Sequence, residues 1–570
     1  MTIRTRVDEV LGCFDNEFAA AASAFARGEY LLWLGSGISR SILPDVSMLL
    51  KRILEFLRTN TDPADRTCRF RKALEEVLDI SGVSTETRQS IDLASPVESW
   101  PAVPELVSRL GDRYSDVLDI QVRGESEDFL VWTGLDVPNV YGAPGLQPDI
   151  EHLCIAILML EGVVRSAPST NWDGLVEAAM GQLVENPGDV LRVIVRPLDF
   201  REPDRQAELV KFHGCAVRAA ADANEYRSLL IARKSQISGW TAKPENQLMK
   251  GHLEMLFASR PAFIVGLSAQ DANIHIVLHE ASRNLARTWP ASPPAVVFAE
   301  QELHHHHRHV MRVTYGETYA ANAEAIAESA LLGAYAQPAL LGLVLFTLAD
   351  KLCTLAGSTT ELALPSGEMD RIRSNLRDLR DALGRLADAD PHRFIDAVIS
   401  GVGLTMAVFR TGRAPDPGHI VYHPISTAPI SRALTDPDFP CGALGRLAIA
   451  MSLLARGMSE GLWSLSLGTP VRPARGVLRL ATSRQVSRVF VVRDSRARAQ
   501  LEIEGLVDPY DDRALVIQTE AATLLKTRSP RARYGRTGKG GLRHIDLEEL
   551  CSTLCSADDL FEAFRLEGAL

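Results

Sequence analysis

Cysteine is sparse and scattered: eight in 570 residues, at positions 13, 68, 154, 215, 353, 441, 551 and 555. Only Cys551 and Cys555 lie close together, at a spacing that suits one helical face. This excludes a disulfide framework and reads as reduced thiols in a cytosolic protein. An excess of positive charge is also missing. Lys and Arg number 61 against 72 Asp and Glu, a net charge of −11, so wholesale, sequence-independent binding to nucleic acid is excluded while local basic patches remain open. No long Ser/Gly, Gln/Asn or Pro-rich tract points to extended disorder. The N-terminus, MTIRTRVDEVLGCFDNEF, has no uninterrupted apolar segment, and export is not expected.

What is present is a folded-protein composition, 46% hydrophobic and 23% charged. The length exceeds the roughly 250–300 residues at which one core stops growing, so two or three packed units are expected. One stretch without charge, 329–349, is about long enough to span a bilayer. Gln337 and Pro338 fall in its middle and charges flank it at Glu328 and Asp350. Two buried helices meeting at the proline give the same pattern, and no membrane contact is expected.

Apolar runs bounded by glycine and polar turns mark buried strands at EYLLWL (29–34), RVIVR (192–196), LVKF (209–212), AFIVGL (262–267) and AVVFA (295–299). Helical patterns such as VSMLLKRILEFLR and DIEHLCIAILMLEG alternate with them, as in a parallel sheet covered on both faces. From about 317 to 470 helical periodicity dominates. Beyond 476, short β-branched runs (VLRLAT, RVFVVRD, LEIEG, ALVIQ) return before a helical acidic tail. The expected architecture is therefore α/β, a Rossmann-like parallel sheet over 20–330, a helical region over 331–475 and a small α/β unit over 476–570 that serves assembly or partner binding.

Four elements carry chemistry. Leu34-Gly35-Ser36-Gly37-Ile38-Ser39 stands between strand and helix, where glycines let backbone approach a pyrophosphate and helix amides favour an anion; glycine turns of this kind are also common without a ligand. Ser169-Thr170-Asn171-Trp172-Asp173-Gly174 follows the strand-like VVRSAP, so Asn171 and Asp173 project at a sheet edge or cap the next helix. Val210-Lys211-Phe212-His213-Gly214 delivers a histidine from a strand, in a catalytic or a structural role. Phe263-Ile264-Val265-Gly266-Leu267-Ser268-Ala269-Gln270-Asp271 is another strand opening into a helix.

In this order and at these separations the four elements resemble the sirtuin superfamily: a GAGIS-like phosphate loop, a T-x-N-x-D element, a K-x-H-G element and a G-x-S segment. TNWDGLVE and GLSAQDANI look closer to the bacterial sirtuin-like domains of antiphage defence proteins than to protein deacylases. The resemblance implies NAD as substrate and Asn171 and His213 as the catalytic pair. It places Gly35, Ser36, Gly37, Ile38 and Ser39 along the phosphates, with Asp173, Gly266, Ser268 and Asp271 shaping the nucleotide pocket. Asp173 is in addition the best candidate to stabilise positive charge on the ribose as the bond to nicotinamide breaks. Two departures separate the chain from deacylases. Only Cys215 lies between His213 and Cys353, so the paired Cys-x-x-Cys zinc module of deacylases is missing. The first loop also runs into ILPDVSMLL, without the arginine of the deacylase GIPDFR.

The resemblance thus implies an NAD glycohydrolase of antiphage immunity, cytoplasmic, working by NAD depletion and held in check by self-oligomerisation, a HerA-type ATPase or a short Argonaute. The rivals are an NAD-dependent protein deacylase and a catalytically silent nucleotide-binding scaffold. Two further features stand apart. His304-His305-His306-His307-Arg308-His309 reads as a polar surface loop, without the carboxylates or thiols of a metal site, and no metal is expected. The basic run 526–543, KTRSPRARYGRTGKGGLR, suits a subunit contact, an acidic partner or nucleic acid.

Overall fold

A computed structural model describes residues 3–285, 287–359, 364–415, 421–467, 476–521 and 541–570. Residues 526–540 of the basic run lie outside the described residues. The N-terminal sheet has six parallel strands: β1 (Leu31–Leu34), β2 (Ser166–Ser169), β3 (Leu191–Ile194), β4 (Ala207–Lys211), β5 (Ala262–Val265) and β6 (Val296–Ala299). Their order is β3-β4-β2-β1-β5-β6. The strands are nearly all apolar because both faces are covered. Leu32, Leu34, Phe263 and Val265 pack under helices including Ile150–Leu160 and Ala336–Gly357. Leu31, Trp33, Ile264 and Phe298 pack on the other side, beneath Gln247–Ser259 and Ala272–Asn284.

From β1 the chain crosses to β2 on one side, and from β4 it returns to β5 on the other. The reversal opens a crevice at the C-terminal ends of the strands, the place where open α/β sheets bind ligands. Between β1 and β2 stands a helical insertion with its own core, which includes Leu50, Ile53, Leu54, Val77 and Leu106. Its first helix, Val46–Thr59, is capped by Asp45, whose carboxylate accepts from the Met48 N–H at 2.8 Å.

The charge-free stretch is divided between helices Tyr319–Ala330 and Ala336–Gly357. The break falls at 331–335, and Pro338 sits in the first turn of the second helix, where its missing N–H is not needed. Ala336–Gly357, Pro391–Thr411 and Cys441–Ser459 are long and apolar enough to cross a membrane, and each buries most of its apolar window inside the protein.

A second sheet combines β7 (Ser464–Leu467), β8 (Leu478–Ala481), β9 (Val486–Val492), β10 (Ala514–Gln518) and β11 (Arg543–Asp546) in the order β11-β10-β9-β8-β7. β9, β10 and β11 are parallel; β7, β8 and β9 are antiparallel. It begins inside the stretch expected to be helical. LEIEG, expected as a strand, instead closes the helix Ser495–Ile503: Ala497 and Leu501, four apart, are buried while Ile503 is exposed, which is helical rather than alternating spacing.

The histidine run is also not a surface loop. His304 caps the helix His305–Tyr315, and His307 is buried. Its Nδ1 accepts the His304 N–H at 3.3 Å, so the proton sits on Nε2 and is donated to the Leu267 carbonyl at 2.9 Å. The run therefore braces the segment that follows β5. Among the described residues no group of three or more His, Cys, Asp or Glu is arranged to hold a metal.

Candidate active site

The end of β1 and the end of β5 interlock. The Gly35 N–H donates to the Val265 carbonyl at 3.0 Å and the Gly37 N–H to the Gly266 carbonyl at 2.8 Å. A Cβ on Gly35 would stand 2.3 Å from the Gly266 oxygen, and one on Gly37 2.6 Å from the Gly266 Cα. Gly266 itself has φ +66°, and its Cβ would meet the Ile38 nitrogen at 2.7 Å. These glycines are required first by backbone meeting backbone. Of the expected phosphate loop, Ser36 and Ser39 line the cleft, whereas Ile38 is buried in the core. Ser36–Ser39 form a single 3-10 turn, and the next α-helix waits until Val46.

A cleft open to solvent on one side lies at these strand ends. It brings together Ser36, Ser39, Asn171, Asp173, His213, Ser268 and Asp271. The helical insertion supplies one wall, with Leu43, Leu49, Tyr114 and Tyr141. Ala269 adopts φ +54° beside it, a left-handed conformation costly for a residue with a Cβ and typical of functional loops.

Asn171 is buried, and its Oδ1 has no hydrogen-bond partner among the described residues. An orphaned acceptor costs ~1–3 kcal/mol, a cost that a ligand donor would relieve. Asp173 is already engaged on both oxygens. Oδ1 accepts from the Leu175 N–H at 3.1 Å and Oδ2 from the Ser39 hydroxyl at 3.2 Å. Its carboxylate thereby fixes the loop at the cleft. Lys211, buried on β4, holds the same loop from behind, donating to the carbonyls of Trp172 and Asp173 and to Glu177 Oε1 at 3.0 Å. Burial alone would lower the Lys211 ammonium, but Glu177 and its other anionic neighbours raise it above its ordinary value.

His213 sits opposite. Asn273 Nδ2 donates to His213 Nε2 at 2.9 Å, and the Asn273 Oδ1 takes the Ile274 N–H, so the amide orientation is fixed and the His213 proton resides on Nδ1. Nδ1 faces Asp271 Oδ2 at 3.8 Å, and Asp271 Oδ1 accepts from the Tyr114 hydroxyl at 2.7 Å. Burial lowers the His213 imidazole, with Asp271 opposing, so it rests neutral. Taking a proton at Nε2 requires the Asn273 amide to turn its oxygen to the ring, and Asp271 is placed to stabilise the cation.

Four contributors escaped the sequence reading. Lys211 and Asn273 stand inside the motifs; Tyr114 arrives from the insertion. His152, fully buried, accepts the Asp149 N–H on Nδ1 at 3.2 Å and so donates from Nε2 to the Ser39 hydroxyl at 3.1 Å. A directed chain of hydrogen bonds thus runs from His152 through Ser39 to Asp173. Burial holds His152 below its ordinary range, which preserves the required neutral tautomer. Its sequence context is an apolar helix, and nothing local marks it.

Residues 165–320 match the family model described as a SIR2-like domain. None of the curated proteins matches the chain. The match holds β2 to β6 with Asn171, Asp173, His213 and the Gly266–Asp271 segment. The glycine turn after β1 lies outside it, separated by the helical insertion, and is returned to the site by the sheet.

Proposed function

We propose that this SIR2-like domain is an NAD glycohydrolase: NAD and water give nicotinamide, ADP-ribose and a proton. One observation carries the reading. Asn171, whose buried Oδ1 has no partner among the described residues, lines the cleft that His213, Asp271 and Asp173 also line, at the C-terminal edge of a parallel sheet. Asn171 orients the ribose hydroxyls or the attacking water. Asp173 and Asp271 lend negative potential as the ribose ring gains positive charge. His213, with the Asn273 amide turned, accepts the proton released by water. The family likeness supports use of NAD; water as acceptor is the further step.

In this reading the enzyme is cytoplasmic and acts in antiphage defence by depleting NAD. Unregulated loss of NAD kills the host, so residues 331–475 and 476–570 hold an assembly or sense infection through self-association, a HerA-type ATPase or a short Argonaute.

The test is release of nicotinamide and ADP-ribose from NAD by the full chain, beside Asn171→Ala and His213→Ala, with and without co-expressed neighbouring genes. Each variant is expected to lose on the order of 100-fold or more. NAD bound but never cleaved under any condition would leave a silent nucleotide-binding scaffold instead.

A further inference from the structure

Asp271 is shared between two partners. Its Oδ1 accepts the Tyr114 hydroxyl at 2.7 Å, whereas its Oδ2 stands 3.8 Å from His213 Nδ1, beyond the roughly 2.7–3.2 Å of an N–H···O bond. The His213 Nδ1–H, which carries the ring proton, thus has no acceptor among the described residues, while the Asn273 amide occupies Nε2. His213 keeps 4% and Asp271 13% of its side-chain surface in contact with water, so a small change in their separation alters their interaction strongly.

Few groups surround the pair. Asp271 is the charge that acts on His213, and the Asn273 amide is its hydrogen-bond partner. Asp271 is flanked in turn by Tyr114 from the helical insertion and by His306 from the helix His305–Tyr315, which also feels His305, His309 and Asp112. Tyr114 opens the short helix Tyr114–Leu118, which is tied to the segment 233–235 by Lys234 against Asp116 at 3.2 Å and by Ser235 against Asp119. Burial, and then Asp271, raises the Tyr114 phenol far above its ordinary value, so its hydroxyl stays a donor. A histidine whose Nδ1–H is bonded to a carboxylate is a stronger base at Nε2, and its cation is stabilised. In this structure that bond is unmade, and the oxygen that would turn toward the ring belongs to a carboxylate held by Tyr114.

We infer that Tyr114 is a positioning residue that restrains the proposed glycohydrolase, on which this reading rests: it holds the Asp271 carboxylate off His213, and displacement of the insertion lets Asp271 close on the Nδ1–H. Closing 3.8 Å to hydrogen-bond length takes a shift of about 1 Å. In the closed pair the proton released by water goes to Nε2, once the Asn273 amide has turned, the Nδ1 proton stays on the ring, and Asp271 meets the imidazolium charge. The insertion thereby sets the strength of the base without touching it.

The experiment is an NMR pH titration of the full chain labelled at histidine, with the His213 resonance assigned by its loss in His213→Gln. Tyr114→Phe keeps the ring and removes the hydroxyl, and His213 is expected to titrate about one pH unit higher than in the parent. Asp271→Asn should move it lower, and adding Tyr114→Phe to Asp271→Asn should move it no further. Nicotinamide release from NAD at about pH 8, where the imidazole rests neutral in every form, should rise several-fold in Tyr114→Phe. A His213 titration that is unmoved or lower in Tyr114→Phe, or a rise that survives Asp271→Asn, overturns the inference and leaves the glycohydrolase reading standing. So does a raised titration accompanied by slower release. A raised titration with no release by any form removes the glycohydrolase reading and leaves the link from Tyr114 to His213 in place.

Discussion

Replacing Lys211 by Met keeps the length of the side chain and removes every donor. Four acceptors then lose this donor behind the Asn171 loop: the carbonyls of Trp172 and Asp173, the carboxylate of Glu177 and Cys215 Sγ, of which the Trp172 carbonyl keeps the Ala216 N–H. Removing one member of a buried ion pair costs ~3–5 kcal/mol, because the other charge is left uncompensated. Glu177 keeps 26% of its side-chain surface in contact with water, which returns part of its solvation and places the cost near the lower end, about 3 kcal/mol. Urea unfolding measures that loss. Adding Glu177→Leu removes the stranded charge and leaves neutral acceptors alone without the lysine, so the double variant should regain about 1–2 kcal/mol over Lys211→Met alone. Nicotinamide release, measured where the variant is still folded, should fall as well, since Asn171 and Asp173 lose their backing. A loss within about 1 kcal/mol, or a double variant weaker than the single one, would refute the assignment of Lys211 as the loop's anchor.

Gly266→Ala should cost about 3 kcal/mol, combining left-handed strain with overpacking against Ile38; Gly82→Ala, with φ +62° but open space around it, should cost only about 1. Equal costs in denaturant would mean that the β1 and β5 loops part readily. His307 is held at about 4 by burial, below the ~6.5 of an unfolded histidine. The unfolded chain therefore takes up the proton first, and stability is lost as pH falls from about 6.5 to about 4, by up to ~3 kcal/mol. The stability difference between the parent and His307→Gln should fall across that window; a flat difference counts against a buried neutral imidazole. Finally, 1 M salt should speed amide exchange across residues 112–128, whose ion pairs with Arg227, Arg233 and Lys234 are partly exposed, without touching 422–426; uniform protection would argue for one rigid unit.

The N-terminal sheet was legible because parallel strands buried on both faces read as continuous apolar runs, and EYLLWL and AFIVGL admit no other element as readily. β11 was not, since Arg543, His544 and Asp546 surround one buried residue, Ile545. The motifs likewise gave the positions of Asn171, Asp173 and His213, which the structure gathers in one cleft. They could not show that Asp173 is engaged on both oxygens, nor that the glycines of the first loop answer to Gly266 rather than to a ligand alone. Those facts depend on contacts between segments more than 200 residues apart for Gly37 and Gly266. His152 lies 113 residues from Ser39 in a helix whose pattern is fully explained by its core face. The histidine run misled because His307 is a buried brace whose neighbours are polar.

A gate on the proposed glycohydrolase would have to act where the structure can yield. The helical region is bolted to the sheet by Lys351, which is fully buried and donates to Glu161 Oε2 at 2.6 Å and to Ser426. The other Glu161 oxygen accepts from the Tyr422 hydroxyl and the Ile425 N–H. Gly162 approaches Thr427 so closely that a Cβ would meet its carbonyl at 2.2 Å. Every polar group in that joint is satisfied away from water, so opening it would strand a buried charge pair at a cost of several kcal/mol. The wall formed by the helical insertion differs. Its seam against residues 227–235 is held by partly exposed ion pairs, each worth ~0–1 kcal/mol, and Tyr114 and Asp112 reach from it to Asp271 and Gln270 at the cleft. Movement of the insertion would release Asp271 from Tyr114 and so change the anion that faces His213. Under the proposed function, a gate would reach the chemistry through this wall, with the helical region serving as the fixed frame.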